Sequence, residues 1–387
     1  MGVLSGFKVI ELVGMGPCPM AGMLLADMGA EVICVDRTLK PDPMYAKDMS
    51  RRGKKSVVLD LKSDSGREIF LKLVATADVL IEGFRPGVME KLGIGPDECH
   101  RINPELIYGR MTGWGQQGPL ARNAGHDINY IALTGALHAI GRKGEKPVVP
   151  LNLVGDFGGG TLFLVMGILG ALLETGRSGK GQVVDAAMVD GVANLMWMCH
   201  SFHAAGLWNL EERESNILDG AAFFYDTYET ADGKYLALGA IEPHFFTEFV
   251  ELMGLDKTTF NNAAQNEPGQ WRTLKNVLAE RFRQKTRDDW CALLENTDAC
   301  VSPVLSADEA PQHSHNSARN SYIPIDGYLQ PAPAPRFSRT PSSVLHGRRR
   351  AGADTRAVLA GLGFRAEELD QLEQQGIAAS TSSRESV

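Results

Sequence analysis

The chain has 387 residues, 44% of them hydrophobic and 22% charged, and a net charge of -8. That is ordinary globular composition, with length enough for two domains that each bury a core, and the acidic balance argues against a nucleic-acid partner, which needs a basic face. The six cysteines form neither a CxxC pair nor a zinc spacing, so they read as free thiols in a reducing compartment, and no metal site is expected.

The first elements alternate. "FKVIEL" reads as a strand, "MAGMLLADMG" as a helix and "EVICVD" as the next strand. "SVVLDL", a helix through "SGREIFLKLVAT", then "DVLIEGF" and "ELIYGRMTG" follow. Short β-branched runs separated by helical stretches predict βαβ units and a mostly parallel sheet, an α/β fold. A strand this close to the first residue leaves no signal peptide, "MGVLSG" lacks the Ser or Thr of a myristoylation site, and the polar "SSRESV" is not a peroxisomal address. The cytoplasm is the default location; for a eukaryotic source the peroxisome or mitochondrion stays open.

Between the first two strands, "GMGPCP" imitates a dinucleotide fingerprint. Pro19 occupies the place of the third glycine, where it opposes close helix-strand packing, so a nicotinamide cofactor is not expected. "RRGKKSVVLDLK" sets Arg51, Arg52, Lys54 and Lys55 ahead of a strand. These cations, with Arg37 and Arg85 at strand ends, read either as a groove for an anionic ligand with separated phosphates or as solvated loop charges.

In "AGHDINYIALTGALHAI", Gly125 turns the chain and His126 and Asp127 open a helix read as running to the end of that stretch. Amides at a helix start lack internal partners and can hold a developing negative oxygen. "NLVGDFGGGTLFLVMGILGALLETG" is read as a long helix capped by Asp156 and stopped at Gly176. Its apolar run, Thr161 to Leu173, is too short for a membrane span of about 20 residues and is read as a buried core helix. Gly158, Gly159 and Gly160 weaken a helix, a cost offset by close packing or by ligand access. "GKGQVVDAAMVDGVANLMWM" is a strand leading into another helix, and the charged "NLEERESN" is a linker.

"FFYDTYETADGKYLALGA" predicts a β-hairpin turning at Asp232-Gly233, followed by helical patterns: a smaller α+β domain. "PQHSHNSARN" and "PAPAPRFSRTP" are connectors, and two short helices flank a glycine turn in "DTRAVLAGLGFRAEELDQLEQQG". The domain boundaries drawn are 1–208 for a large domain, 220–312 for the small one, 313–335 for a linker and 336–387 for a segment that completes the large domain. Met15, Met20, Met23, Met188, Met196 and Met198 are either plain core or an adaptable surface for an acyl tail.

"AGHDINYIALTG", "PLNLVGDFGGG", "EGFRPGVMEKLG", "GKGQVVDAAMVDG" and "ADGKYLALGAIEP" resemble the α-methylacyl-CoA racemases of the family III CoA-transferase superfamily, from about Gly6 to Gly376. The resemblance implies a Rossmann-like large domain plus a small α+β domain, in an interlocked homodimer whose active sites draw on both chains. It implies a racemase that interconverts 2-methylacyl-CoA epimers through an enolate and needs no cofactor, coenzyme A being part of the substrate. His126 and Asp156 become the acid/base pair, with Asp127 and its neighbours giving the N–H groups for the thioester oxygen. Glu242 of the partner orients His126, and Asn152 lies near Asp156. CoA contacts fall on Arg37, on Leu59, Asp60, Leu61 and Lys62, on Gly83 and Arg85, and on Gly125, Ile128, Asn129 and Tyr130. The rival within the superfamily is a CoA-transferase with Asp156 as nucleophile; a silent CoA-binding scaffold is the rival outside it.

Overall fold

A computed structural model describes residues 2–39 and 47–381. The chain divides into two compact units. The first comprises the described residues of Met1–Thr134, Leu151–Leu195 and Asn320–Val387; the second comprises Gly135–Pro150 and Met196–Arg319.

The first unit is built on a seven-stranded sheet. Its strands are β1 (Lys8–Leu12), β2 (Glu31–Asp36), β3 (Lys54–Leu59), β4 (Val79–Glu82), β5 (Ile107–Thr112) and β6 (Gln182–Ala187), with Ala378–Ala379 at one edge. The order is Ala378–Ala379, β3, β2, β1, β4, β5, β6; all pairs are parallel except the first, which is antiparallel. The order reverses direction between β1 and β4, the point where open α/β sheets bind ligands beyond the carboxyl ends of their strands. The first unit's helices up to Thr134 are α1 (Pro17–Asp27), α2 (Asp64–Val74), α3 (Val88–Lys91), α4 (Pro96–Ile102) and α5 (Asp127–Leu133). Ile10, Ile33, Val57 and Leu80 of the strands pack on one face with Phe70 of α2 and with Val358, Leu359 and Leu369 of the helices Thr355–Gly361 and Ala366–Gln374.

α1 lies close on the sheet in spite of Pro19. The close approach comes one turn later, at Gly22, where an added Cβ would stand 1.7 Å from Glu11 Oε2. Beneath it Lys54 Nζ meets Glu11 at 2.5 Å and the Pro19 carbonyl at 2.8 Å, both side chains buried. Within the cluster, Arg51, Arg52 and Lys54 are therefore neither a ligand groove nor solvated charges, whereas Lys55 is partly exposed. Arg51 holds Asp36 through two hydrogen bonds (2.9 and 2.6 Å), buried Arg52 holds Asp27 (3.2 and 2.6 Å), and Lys55 pairs with Glu31. The partner carboxylates are on β1, α1 and β2, too far along the chain for sequence spacing to reveal.

The glycine-rich segment also differs from expectation. Leu153–Thr161 is a π-helical turn with Asn152 at its N-cap, and it continues into the helix Leu162–Ser178. Asp156 is thus inside the widened turn rather than at a cap. The helix passes through Gly176 and ends at Gly179, whose φ of 67° suits glycine. Close packing accounts for two of the three glycines: a Cβ on Gly159 would lie 2.6 Å from Val192 Cγ2, and one on Gly160 3.1 Å from Met188 Cγ. The helix is only half a core helix. Leu164, Val165, Ile168 and Ala171 are buried, and Leu164 reaches Gly109 of β5, while Leu162, Met166 and Leu173 are exposed. From Leu153 to Ser178 it is long and apolar enough to cross a membrane by length and composition alone. Its buried face, packed on the sheet, makes it a covering helix. α5 likewise stops early, because Gly135 takes φ 84° and breaks the run before Ala136–Ala139.

The second unit holds an antiparallel three-stranded sheet, Tyr225–Glu229, Tyr235–Gly239 and Val301–Val304. The first two form the hairpin, with Gly233 at φ 71°. Helices Pro243–Leu252, Pro268–Phe282 and Arg287–Leu294 close over an aromatic core that includes Phe223, Phe246, Phe249, Phe282 and Trp290. Residues 322–331, inside the stretch read as linker, form a second hairpin, Tyr322–Ile325 with Tyr328–Pro331.

Candidate active site

His126 is the N-cap of α5, exposed, with extended backbone (φ -135°, ψ 171°). Its N–H donates to Asn129 Oδ1 at 3.0 Å, and its carbonyl accepts from the Asn129 N–H at 2.8 Å. That reciprocal capping fixes the entry to α5.

Asp127 turns inward. Its Oδ2 accepts the N–H groups of Gly155 (2.6 Å) and Asp156 (2.8 Å). Gly155 is required, since a Cβ there would sit 2.4 Å from that oxygen. The start of α5 is therefore fastened to the π-helical turn, and His126 and Asp156 come together as neighbours of one linkage. The carboxyl of Asp156 is half-buried and receives the Asn152 Nδ2–H at 3.1 Å. Burial raises its pKa above the ordinary carboxylate range; the Asn152 donor opposes this, the charge of Asp127 adds to it, and His126 opposes it.

Tyr130, further along α5, is buried. Its ring stands edge-on to Trp114, with centroids 4.8 Å apart. A Cβ on Gly113 or Gly125 would strike that ring at 2.0 or 2.7 Å, so both glycines are needed for the ring to lie there. Burial, first, and then Asp156 raise the Tyr130 pKa, while Arg85 lowers it. Tyr130 thus lies within electrostatic reach of one predicted CoA contact and of the predicted acid.

The turn once weighed as a dinucleotide fingerprint also belongs here. Gly16, at φ 67°, is so close to Asp156 that a Cβ would stand 3.4 Å from Oδ2. Thr161 Oγ1 lies 3.0 Å from the Pro17 carbonyl and 3.3 Å from the Asp156 carbonyl, joining that turn to the π-helical segment. Gly16, Gly155 and Thr161 were not among the residues picked from sequence. The two glycines had a signal, each standing inside a quoted motif; the buried threonine had none.

The remaining predicted CoA contacts follow the carboxyl ends of the strands. Arg37 comes directly after β2, Leu59 ends β3 with Asp60, Leu61 and Lys62 after it, and Gly83 and Arg85 follow β4. Leu59 is buried; Arg37, Asp60, Lys62, Gly83, Arg85, Ile128 and Asn129 are exposed. A Cβ on Gly83 would lie 2.8 Å from Cys18 Sγ, a thiol whose pKa burial raises well above its usual value. Met188 belongs to the core, whereas Met15 is exposed beside Gly16. Glu242 is in the second unit, exposed, as N-cap of the helix Pro243–Leu252. Among the described residues no group of three or more His, Cys, Asp or Glu is arranged to hold a metal ion.

Comparison with known proteins places the chain in a family. The family model for CoA-transferase family III matches residues 4–355. The chain is 46% identical over 381 residues to the alpha-methylacyl-CoA racemase of Mus musculus, covering 98% of each chain. It is 44% identical to that of Homo sapiens, covering 99% of this chain and 100% of the other. It is 32% identical to the succinyl-CoA–D-citramalate CoA-transferase of Chloroflexus aurantiacus, covering 88% of this chain and 89% of the relative. Among solved structures, a CAIB/BAIF family protein from Brucella suis superposes with a TM-score of 0.79 at 27% identity, covering 93% of this chain and 99% of that one. On the family match and on these identities, the chain belongs to the family III CoA-transferases.

Proposed function

We propose that the chain is a racemase that interconverts (2R)- and (2S)-2-methylacyl-CoA by proton transfer between two bases through an enolate. The observation that carries this is the linkage of His126 and Asp156 through the Asp127 carboxylate, in a chain 46% identical to a racemase. An α-proton beside a thioester is a weak acid, and its removal puts charge on the thioester oxygen. In this reading the N–H groups at the start of α5, after His126, receive that charge; one such donor contributes about 3 kcal/mol. One group takes the proton from its face of the α-carbon, and the other delivers a proton to the opposite face. In the reverse direction the roles exchange. Delivery of a proton from Asp156 needs its carboxyl in the protonated form, which its raised pKa favours.

In this reading Glu242 of a partner chain fixes the His126 tautomer, and the active unit is a homodimer. The exposed apolar side chains of Leu162, Met166 and Leu173, spaced along one face of a helix, support such an association. The CoA moiety follows Arg37, Leu59 to Lys62, Gly83 and Arg85 along the strand ends, and the pantetheine enters past Gly125 to Tyr130. The reaction as written draws only on side chains and substrate, without a cofactor. The proposed compartment is the cytoplasm, supported by six cysteines that are all unpaired.

The test is incubation of a 2-methylacyl-CoA in D2O with no acceptor acid. Deuterium at the α-carbon together with inversion supports the racemase. Thioester turnover only when an acceptor acid is added would instead assign Asp156 as the nucleophile of a transferase, and no reaction under either condition would leave a binding protein.

A further inference from the structure

Asp127 entered the sequence reading through the amides beside it. The structure gives its side chain a separate task. The residue is 6% exposed, and its carboxylate points away from solvent toward the backbone of the π-helical turn. The first amides of a helical segment have no acceptor within it. Here an outside carboxylate supplies the acceptor for two of them, and one of the two is the N–H of Asp156 itself. Oδ1 is buried with no hydrogen-bond partner among the described residues, so all the hydrogen bonding of this carboxylate is directed to that one turn.

The path from His126 to Asp156 is thus one peptide bond, one short side chain and one hydrogen bond. Hydrogen bonds from backbone N–H to a carboxylate are shorter and about twice as strong as neutral ones. Two from adjacent residues to a single oxygen fix orientation as well as distance. Gly155 completes the arrangement by leaving room for Oδ2. Catalysis through opposite faces of one carbon needs its two groups held at a set separation, and displacement by about 1 Å can cost 100-fold.

We propose that the Asp127 carboxylate is the positioning residue that sets the separation of His126 and Asp156 across the α-carbon. The proposal rests on the racemase reading of the same site. It predicts a specific defect. With the clamp removed, the Asp156 turn drifts relative to His126, and the enolate is no longer flanked on both sides. A single base still takes the α-proton, exchanges it with solvent and returns deuterium to the same face. Exchange then outruns inversion.

The experiment compares the rates of α-deuterium incorporation and of inversion for the wild type, Asp127→Ala, Asp127→Asn and Gly155→Ala, each checked for folding by circular dichroism and thermal unfolding. Asp127→Ala is expected to raise the exchange-to-inversion ratio at least tenfold, with kcat for inversion falling far more than KM rises. Gly155→Ala disturbs the same link from the other side and is expected to raise the ratio too. Asp127→Asn keeps an acceptor oxygen and is expected to bring the ratio back toward the wild-type value. If Asp127→Ala does not fold, Gly155→Ala carries the decision. A folded Ala variant in which exchange and inversion decline together, at the wild-type ratio, overturns the clamp. A wild type that shows no exchange overturns the racemase reading instead, so the two failures are distinguishable.

Discussion

Replacing Lys54 by methionine tests the reassignment of the basic cluster. Lys54 and Glu11 are each 2% exposed and 2.5 Å apart, with α1 pressed over them at Gly22. Burial raises the Glu11 pKa above the ordinary carboxylate range, and Lys54 is the chief group that opposes this. Methionine fills much of the lysine volume but cannot donate, so Glu11 loses its hydrogen-bonded counter-ion and the Pro19 carbonyl loses its donor. Breaking one side of a buried pair costs about 3–5 kcal/mol. Glu11→Gln placed on top of Lys54→Met removes the stranded charge and is expected to recover about 2 kcal/mol, a coupling that a double-mutant cycle isolates. The assay is urea unfolding followed by circular dichroism, alongside calorimetric titration of CoA into the folded protein. The expected result is a large loss of stability with unchanged CoA affinity. Weakened CoA binding at full stability would show that the cation serves a phosphate, and the structural account of the cluster would fail.

His126→Ala and Asp156→Ala are each expected to lower racemisation at least about 100-fold in folded protein, measured by loss of optical purity. The raised pKa of Asp156 means that the direction in which it delivers a proton weakens as pH rises through that value. Asn152→Ala removes a donor that favours the ionised form, so the descending limb of the pH-rate profile should move to higher pH. In stability terms the native state holds this proton more tightly than the unfolded chain, so the contribution is complete below the usual carboxylate pKa and is lost as pH rises through the raised one. Gly159→Ala sets a Cβ 2.6 Å from Val192 Cγ2 and 2.8 Å from the Val192 nitrogen, and should destabilise by about 1–3 kcal/mol in thermal unfolding. On the proposed homodimer, Leu173→Glu, on the exposed side of its helix, should shift sedimentation toward the monomer and lower activity in parallel.

The strands were legible because β-branched runs such as those of β2 and β3 sit between clear helical stretches, and burial on both faces of a parallel sheet demands that composition. The hairpin at Asp232-Gly233 was legible through its turn chemistry. Local pattern failed where partners are remote. Arg52 finds Asp27 and Lys54 finds Glu11 across a fold that spacing does not show. Asp156 had the look of a cap, yet glycines packed against the helix Met188–Leu195 let the backbone widen, and no propensity scale registers a π-helical turn. The resemblance supplied His126 and Asp156 together, but the bond that joins their two segments became visible only in three dimensions.

The edge of the sheet beside β3 is closed by residues synthesised long after it. Ser56 N–H reaches Asp354 Oδ2 across a separation of 298 positions, and Leu59 faces Ala378. A nascent chain therefore emerges from the ribosome with its first sheet strands lacking one border, and must hold that border against other strands until residues 298 positions further on have been made. Such long-range closure slows folding and exposes a pairing edge in the meantime. Premature truncation upstream of Asp354 would deprive the amino-terminal half of its own lateral cover.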